Sequence, residues 1–298
     1  MPEGDTIHRA ARALHAALAG QRVERFESVF AHLTRVDADQ PIAGRWVQRV
    51  EARGKHILMW LDDDSRPPEG RAIRHCPGEA EPARSTIQGG ASLVLRTHMR
   101  MHGSWHIYQP GQRWQRPRHE LRILLETQPY VAVAFAVPVA EFVPAGTIDR
   151  EGVVAELGPD LLSDTFDANE ACARLAARPD MDVADALLDQ RALAGIGNVF
   201  KSEVLFAARV SPFTLVGALA VDQLARIVAI AARQMRANVG DAAIDGRRTT
   251  NRLDPSARLW VYGRRGLPCR RCGAPIQRAR QGPDMRSTYW CERCQPRP

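Results

Sequence analysis

Four cysteines near the carboxyl end constrain this chain more than any other feature. They form Cys269-x2-Cys272 and Cys291-x2-Cys294, with 18 residues between the pairs. Two such knuckles present four thiolates in the tetrahedral arrangement that a zinc ion takes. Disulfides and a redox pair are the alternatives. A redox pair needs only one Cys-x2-Cys, and disulfides belong to oxidising compartments. No basic segment followed by an apolar run opens the chain, so no secretory signal is read. The expected cofactor is one structural Zn2+, because four protein ligands leave no position open for water. Between the pairs, QRARQGPDMRSTYW reads as a β-hairpin turned near Gly282-Pro283-Asp284. Its second strand places Arg286 and Thr288 on one face and Ser287 and Tyr289 on the other.

Charge gathers in the same region. From Arg247 to Pro298 there are 13 arginines against three acids, whereas the preceding 246 residues carry slightly more acids than bases. A segment this cationic points to a polyanionic partner, most simply nucleic acid; a solvated arginine-rich surface is the plainer alternative. Lysine is scarce, with Lys55 and Lys201 standing alone against 39 arginines. A compact ammonium is not interchangeable with a planar guanidinium, so both positions are marked. Hydrophobic residues make up 45% and charged residues 25%, the balance of a globular protein in water. No apolar run approaches the length of a membrane helix, and the expected location is the cytoplasm, on the nucleoid if the source is bacterial.

The chain reads as three modules, 1–143, 144–246 and 247–298. The first opens with a helix that Asp5 can cap, with Ile7, Ala11, Leu14 and Leu18 at helical spacing and Gly20 as its stop. Strand-like runs follow: RVERFESVF, RWVQRVEARG, HILMWL, SLVLRTH, SWHIY, ELRILLE and YVAVAFAV. They alternate or are β-branched, with turn residues between them, and imply an antiparallel β-sandwich with flanking helices. The Pro-, Gly- and charge-rich stretch from Asp62 to Gly90 reads as a long loop with Cys76 as an incidental thiol. Past Val143 the period becomes helical, around Asn169–Ala177, Val183–Asp189, Val199–Ala208 and Val221–Asn238, with Asp222 or its neighbour capping the last. The fold class expected is α+β and multidomain.

Two stretches read as sites. In LLDQRALAGIGNVFKSEVLF, Gly195 and Gly197 permit a tight turn and the close approach of another backbone. Asn198 stands where it can cap the next helix, whose exposed amides favour a phosphate; a helical hairpin in which Asn198 only caps is the alternative. At the other end the chain begins Met1-Pro2-Glu3. One reading is a solvated, fraying terminus. The other is that Met1 is removed and the Pro2 amine is a chemical tool. An α-amino group with a pKa near 8 is neutral in roughly a tenth of molecules at pH 7, a lysine in fewer than about one in a thousand, and the proline ring fixes the geometry.

PEG at the start, RGKH around Lys55, MRMHGSW at Met99–Trp105, LLDQRALAGIGNVFKSE, and VYGRRGLPCRRCGAPI…RSTYWCERCQ resemble, in order and over nearly the whole length, the motifs of the formamidopyrimidine-DNA glycosylase and endonuclease VIII family of base-excision repair. The resemblance implies a monomeric, bifunctional DNA glycosylase/AP lyase acting on damaged DNA, single- or double-stranded, with a helix-two-turn-helix region before the zinc finger. It implies that Pro2 is the nucleophile, Glu3 the partner acid, and Lys55 a basic residue serving the reaction and the flanking phosphate. Asn198 and Arg286 are similar to phosphate contacts, and Arg100, Met101 and His102 match the loop that fills the hole left by an extruded base. PEG rather than PEL, and the TYWC form of the finger, lean towards the endonuclease VIII branch, hence oxidised pyrimidines.

The residues suit that chemistry. A base inside duplex DNA must be flipped out before it can be attacked, and an amine at C1′ gives a Schiff base from which elimination breaks the strand. Glu3 in a closed site can move a proton, its plainer reading being a solvated acid at a helix start. Lys55 is alternatively a strand-edge gatekeeper. Departures exist: the family often has Glu where Thr6 stands, and YVAVAFAVPVAEFV occupies the region of the Arg-Arg-Phe loop that the formamidopyrimidine branch uses to wedge the duplex. His98, His102 and His106 repeat every four residues, but in a strand-turn region that spacing has no metal geometry. A non-catalytic zinc-finger protein that binds DNA damage is the runner-up reading, and an RNA-associated helix-turn-helix protein a third.

Overall fold

The computed structural model describes residues 2–63, 92–240, 246–250, 252 and 254–297. Met1, Cys76 and all but Asp62 and Asp63 of the stretch read as a loop from Asp62 to Gly90 lie outside the described residues. The chain divides into two compact units. One holds residues 10–51 and 56–151, and the other residues 1–9, 52–55 and 152–298.

Helix α1 runs Gly4–Leu18. Its apolar stripe, Ile7, Ala11, Leu14 and Leu18, is buried as the helical spacing requires. Asp5 does not cap it: the Glu3 carbonyl already accepts the Ile7 N–H at 3.0 Å, which places Asp5 inside the first turn.

The strand-rich unit contains two four-stranded antiparallel sheets. One has the order β1 (Arg25–Ser28), β6 (Leu121–Glu126), β7 (Val131–Phe135), β5 (Ser104–Tyr108). The other has the order β2 (Trp46–Arg53), β3 (His56–Asp62), β4 (Leu93–His98), β8 (Val139–Pro144). Consecutive residues Ile57–Met59 and Leu93–Leu95 are all buried, so β3 and β4 are covered on both faces. Seven strands match the expected runs. The eighth, β8, and a helix α2 over Ala31–Asp39 were not expected. Only residues 136–138 separate β7 from β8.

The second unit carries helices α3 (Gly152–Ala155), α4 (Ala168–Ala176), α5 (Val183–Ala186), α6 (Asn198–Ala208) and α7 (Val221–Ala237). Leu175, Leu187, Phe200, Leu205, Ile227 and Met235 lie in one core cluster. The Asp167 carboxylate caps α4 by accepting Asn169 N–H at 2.8 Å and Glu170 N–H at 3.2 Å. α7 starts without an acidic cap; the Ala220 N–H donates instead to Gln223 Oε1 at 2.9 Å. The chain closes in an antiparallel hairpin, β9 (Gln277–Gln281) and β10 (Arg286–Trp290), turned where the sequence places the turn. Glu203, fully buried on α6, pegs the segment leading to it: its carboxyl accepts the N–H groups of Trp260, Val261 and Tyr262 at 2.8, 2.9 and 2.8 Å and the Thr249 hydroxyl. Among the described residues no helix is long and apolar enough to cross a membrane.

Candidate active site and DNA-binding hairpin

The amino terminus is knotted into the turn before α6. The Gly4 N–H donates to the Gly195 carbonyl at 2.9 Å. The Glu3 side chain is fully buried, and its Oε1 accepts the Val199 N–H at 2.8 Å while its Oε2 accepts Gly197 and Phe200 N–H at 3.1 and 3.2 Å. These are the orphan amides of a helix start, satisfied here by a carboxyl from 194 residues or more away. A Cβ on Gly197 would stand 2.4 Å from Glu3 Cδ, and one on Gly4 would stand 3.0 Å from Gly195 Cα. The close approach expected of the two glycines is therefore real: at Gly195 the approaching backbone is that of Gly4, whereas at Gly197 the neighbour is the Glu3 side chain. Pro2, half-buried, is held by this knot. Asn198 is not the cap. Gly197 occupies that position and Asn198 is the first helical residue, because Glu3 already serves the amides. Asn198 is buried, and its Oδ1 has no hydrogen-bond partner among the described residues.

Arg247 ties the first turn of α1 to this knot. Its Nε and Nη2 donate to the two oxygens of the fully buried Asp5, both at 2.7 Å, and Nη2 also reaches Thr6 Oγ1 at 3.0 Å. Its Nη1 is 3.9 Å from Glu3 Oε1, and the guanidinium lies over the Phe200 ring, 5.4 Å from the centroid. Thr6 thus takes part in an arginine clamp. Lys55 is brought in by a turn whose Gly54 N–H donates to Asp160 Oδ2 at 2.7 Å; Asp160 Oδ1 accepts the Leu162 N–H at 2.9 Å, and His8 Nε2 is 3.7 Å away. Burial pulls the Lys55 ammonium down to about 8; Glu3 opposes this, and Arg286 and Arg247 reinforce it. Lys55, Glu3, Arg247 and Arg286 therefore share one electrostatic site. Sequence reasoning missed Asp160, Arg247 and Glu203. An acid in an apolar run, as in LGPDLL and KSEVLF, is a signal for two of them; nothing local marks Arg247.

The four cysteine sulfurs all lie within 4.8 Å of one another, with Cys269–Cys294 at 3.9 Å and Cys272–Cys291 at 3.4 Å. A tetrahedral Zn–S length of about 2.3 Å gives edges of about 3.8 Å, so the four residues fit one structural zinc. No other group of three or more ligating side chains fits a metal among the described residues. The zinc knuckles pack on Phe206, Val261 and Ile276 and fix the hairpin that carries Arg286, whose guanidinium pairs with Asp284 at 3.3 Å. Removing the metal with a strong chelator is expected to melt the hairpin and weaken DNA binding at least tenfold, because the metal supplies the folding energy of such modules. An apo-protein that binds DNA as tightly as the loaded one would refute this.

Arg100, Met101 and His102 lie in the strand-rich unit, on the turn after β4. All three are exposed. Arg100 has a left-handed φ of 50°, held by donation of its N–H to His98 Nδ1 at 3.0 Å. A Cβ on Gly103 would stand 2.6 Å from the Met99 carbonyl oxygen, so the turn needs glycine there. The three spaced histidines do not converge: His98 packs edge-on against His56, with ring centroids 4.8 Å apart, and His106 packs against Phe135 at 5.3 Å.

Family comparisons agree with this geometry. The formamidopyrimidine-DNA glycosylase N-terminal domain matches residues 1–137, the H2TH domain of the same enzymes residues 157–250, and the zinc finger found in FPG and IleRS residues 266–297. A relative from Streptomyces coelicolor, "Probable endonuclease 8 2", is 39% identical over all of this chain and 95% of its own length. The chain belongs to the formamidopyrimidine-DNA glycosylase family. Another member, "DNA-(apurinic or apyrimidinic site) lyase Nei2" of Mycolicibacterium smegmatis, is 38% identical over 99% of both chains. The structure of the Lactococcus lactis formamidopyrimidine-DNA glycosylase, bound non-covalently to DNA with an AP site, superposes with a TM-score of 0.75 at 19% identity, covering 99% of this chain and 100% of that one. The formamidopyrimidine-DNA glycosylase fold, sheets first and then helices and zinc hairpin, is thereby shared along the whole length.

Proposed function

We propose that this DNA glycosylase/AP lyase of base-excision repair removes oxidised pyrimidines through a Schiff base on Pro2. The observation that carries the reading is the Glu3 knot, which pins the residue after Pro2 to the α6 amides within the field of Lys55. With Met1 removed, the Pro2 nitrogen attacks C1′ of the flipped nucleotide; the glycosidic bond breaks and the base leaves with a proton. The C1′–O4′ bond then opens, O4′ taking a proton as the secondary amine becomes an iminium; loss of a C2′ proton expels the 3′ phosphate, and hydrolysis of the iminium by water returns the free amine. Glu3 orients the nucleophile and handles protons at the sugar; Lys55 binds the adjacent phosphate and aids the departing base. Asn198 and Arg286 grip the backbone, and Arg100, Met101 and His102 occupy the space of the extruded base. The zinc takes no part in the chemistry.

PEG and the TYWC finger support pyrimidines as the lesion class. The three-residue link between β7 and β8 leaves no room for a wedging loop, which supports weak opposite-base discrimination. The modules 1–143, 144–246 and 247–298 divide catalysis, backbone grip and groove entry, in a monomer working on cytoplasmic, nucleoid-bound DNA. Borohydride reduction during reaction with oxidised-pyrimidine or abasic DNA is expected to trap a covalent adduct whose peptide map places DNA on Pro2. A protein that binds such DNA, keeps Met1 and gives no adduct would be the non-catalytic damage binder instead.

A further inference from the structure

Lys201 is one of only two lysines in the chain, it is fully buried on α6, and the reaction above does not use it. Its Nζ donates to Thr288 Oγ1 at 2.8 Å. Thr288, also fully buried, donates to Gln281 Oε1 at 2.9 Å, and Gln281 Nε2 donates to Asp182 Oδ2 at 2.8 Å and to the Pro212 carbonyl at 3.0 Å. This polar chain joins α6, both strands of the zinc hairpin and the segment around α5. Its position matters more than its length. Lys201 is three residues after Asn198, one helical turn along the same face, and Thr288 is two residues after Arg286, on the same strand face. The contact between Lys201 and Thr288 therefore fixes the spacing of the two residues assigned to the phosphate.

We propose that Lys201 is a positioning residue for DNA capture, bracing α6 against the zinc hairpin so that Asn198 and Arg286 meet one backbone segment, and adding its buried charge to their grip. The proposal rests on the reading of Asn198 and Arg286 as phosphate contacts. A buried ammonium is held against its desolvation, and the groups around Lys201 show how: burial pulls it down to about 8, Asp185 and Glu3 oppose that, and Arg286 reinforces it. Asp185 is itself pushed up by burial, restrained by Lys201 and pushed further by Asp182 and Asp284. A phosphate arriving at Arg286 offsets that neighbour's charge and favours the ammonium, so DNA binding takes up protons in this range.

The test is binding of duplex carrying an uncleavable abasic analogue, from pH 6.5 to 9.5, with zinc content and circular dichroism as checks on folding. Lys201→Met is expected to weaken binding about tenfold to thirtyfold at pH 7 and to lower proton uptake above pH 8 by up to one proton. Lys55 remains to titrate, so the slope shrinks but does not vanish. Thr288→Val keeps the ammonium and loses the brace: about fivefold weaker binding with the wild-type pH slope. Binding by Lys201→Met within twofold of wild type, at the same slope, overturns the proposal. Should that variant not fold, wild-type binding by Thr288→Val overturns it in its place. The underlying reading fails separately, if Asn198→Ala and Arg286→Ala bind as wild type does.

Discussion

Glu3→Gln is expected to lower base release and strand nicking by about a thousandfold or more, and to destabilise the fold by about 2 kcal/mol. Both Glu3 oxygens accept backbone N–H groups, Oε1 from Val199 and Oε2 from Gly197 and Phe200. Glutamine has one acceptor oxygen and one NH2 donor. Whichever way its amide turns, a donor faces donors, and at least one buried N–H is left without a partner at a cost of about 1–3 kcal/mol. The negative charge at the α6 amides is lost as well. The local stability cost is modest; the catalytic cost is larger, because the proposed mechanism places the nucleophile and the proton-handling group together on residues 2–3, and proton transfer alone is worth roughly 10²–10⁴ in rate. Single-turnover rates on oxidised-pyrimidine and abasic duplexes, beside thermal melts, measure both effects. Gly197→Ala reaches the same outcome by crowding, since its Cβ would stand 2.4 Å from Glu3 Cδ. Glu3→Gln rates within tenfold of wild type would detach Glu3 from the chemistry.

The contrast between what sequence made legible and what it did not follows from the range over which each signal acts. Alternating runs gave seven strands, and Cys-x2-Cys pairs gave the metal, because both patterns are local. β8 carries little strand signal because it is an edge strand ending in Pro144 in which only Ala140 is buried. Helix α2 buries only Leu33 and so shows no stripe. Asp5 and Asn198 each carry a local cap signal, and each is displaced by Glu3, whose backbone serves α1 and whose side chain serves α6. No window spanning residues 3 and 197 exists in a linear reading. The same holds for Arg247 with Asp5 and Lys201 with Thr288, pairs separated by 242 and 87 residues. The glycines are the exception, since Gly195 and Gly197 announce a close approach without saying that the Gly4 backbone meets the first and the Glu3 side chain the second.

The pH dependence of catalysis is expected to fall on the alkaline side near 8, well below the range of an ordinary lysine. Lys55 lies at about 8 in the free protein because burial, with Arg286 and Arg247, outweighs Glu3. In the proposed mechanism its ammonium is the form that binds phosphate and aids the leaving base. That form predominates below about 8 and declines about tenfold per pH unit above it, so kcat/KM falls as pH rises through that value. On the proposed mechanism the acid side belongs to the Pro2 amine, which must lose its proton before it attacks. The resulting bell belongs to the coupled site as a whole. In that mechanism a phosphate bound beside Lys55 at saturating DNA favours its charged form, so the alkaline limb of kcat is expected to move upward relative to that of kcat/KM. Lys55→Gln is expected to lower kcat at pH 7 by about 10²–10³ and to remove that limb. Lys55→Arg keeps a charge that does not titrate in this range, and so also removes the limb while retaining more of the rate. Lys201→Met separates capture from chemistry, altering kcat/KM and leaving the Lys55 limb in kcat where it was. An alkaline limb that stays in place when Lys55 becomes arginine would assign it to another group.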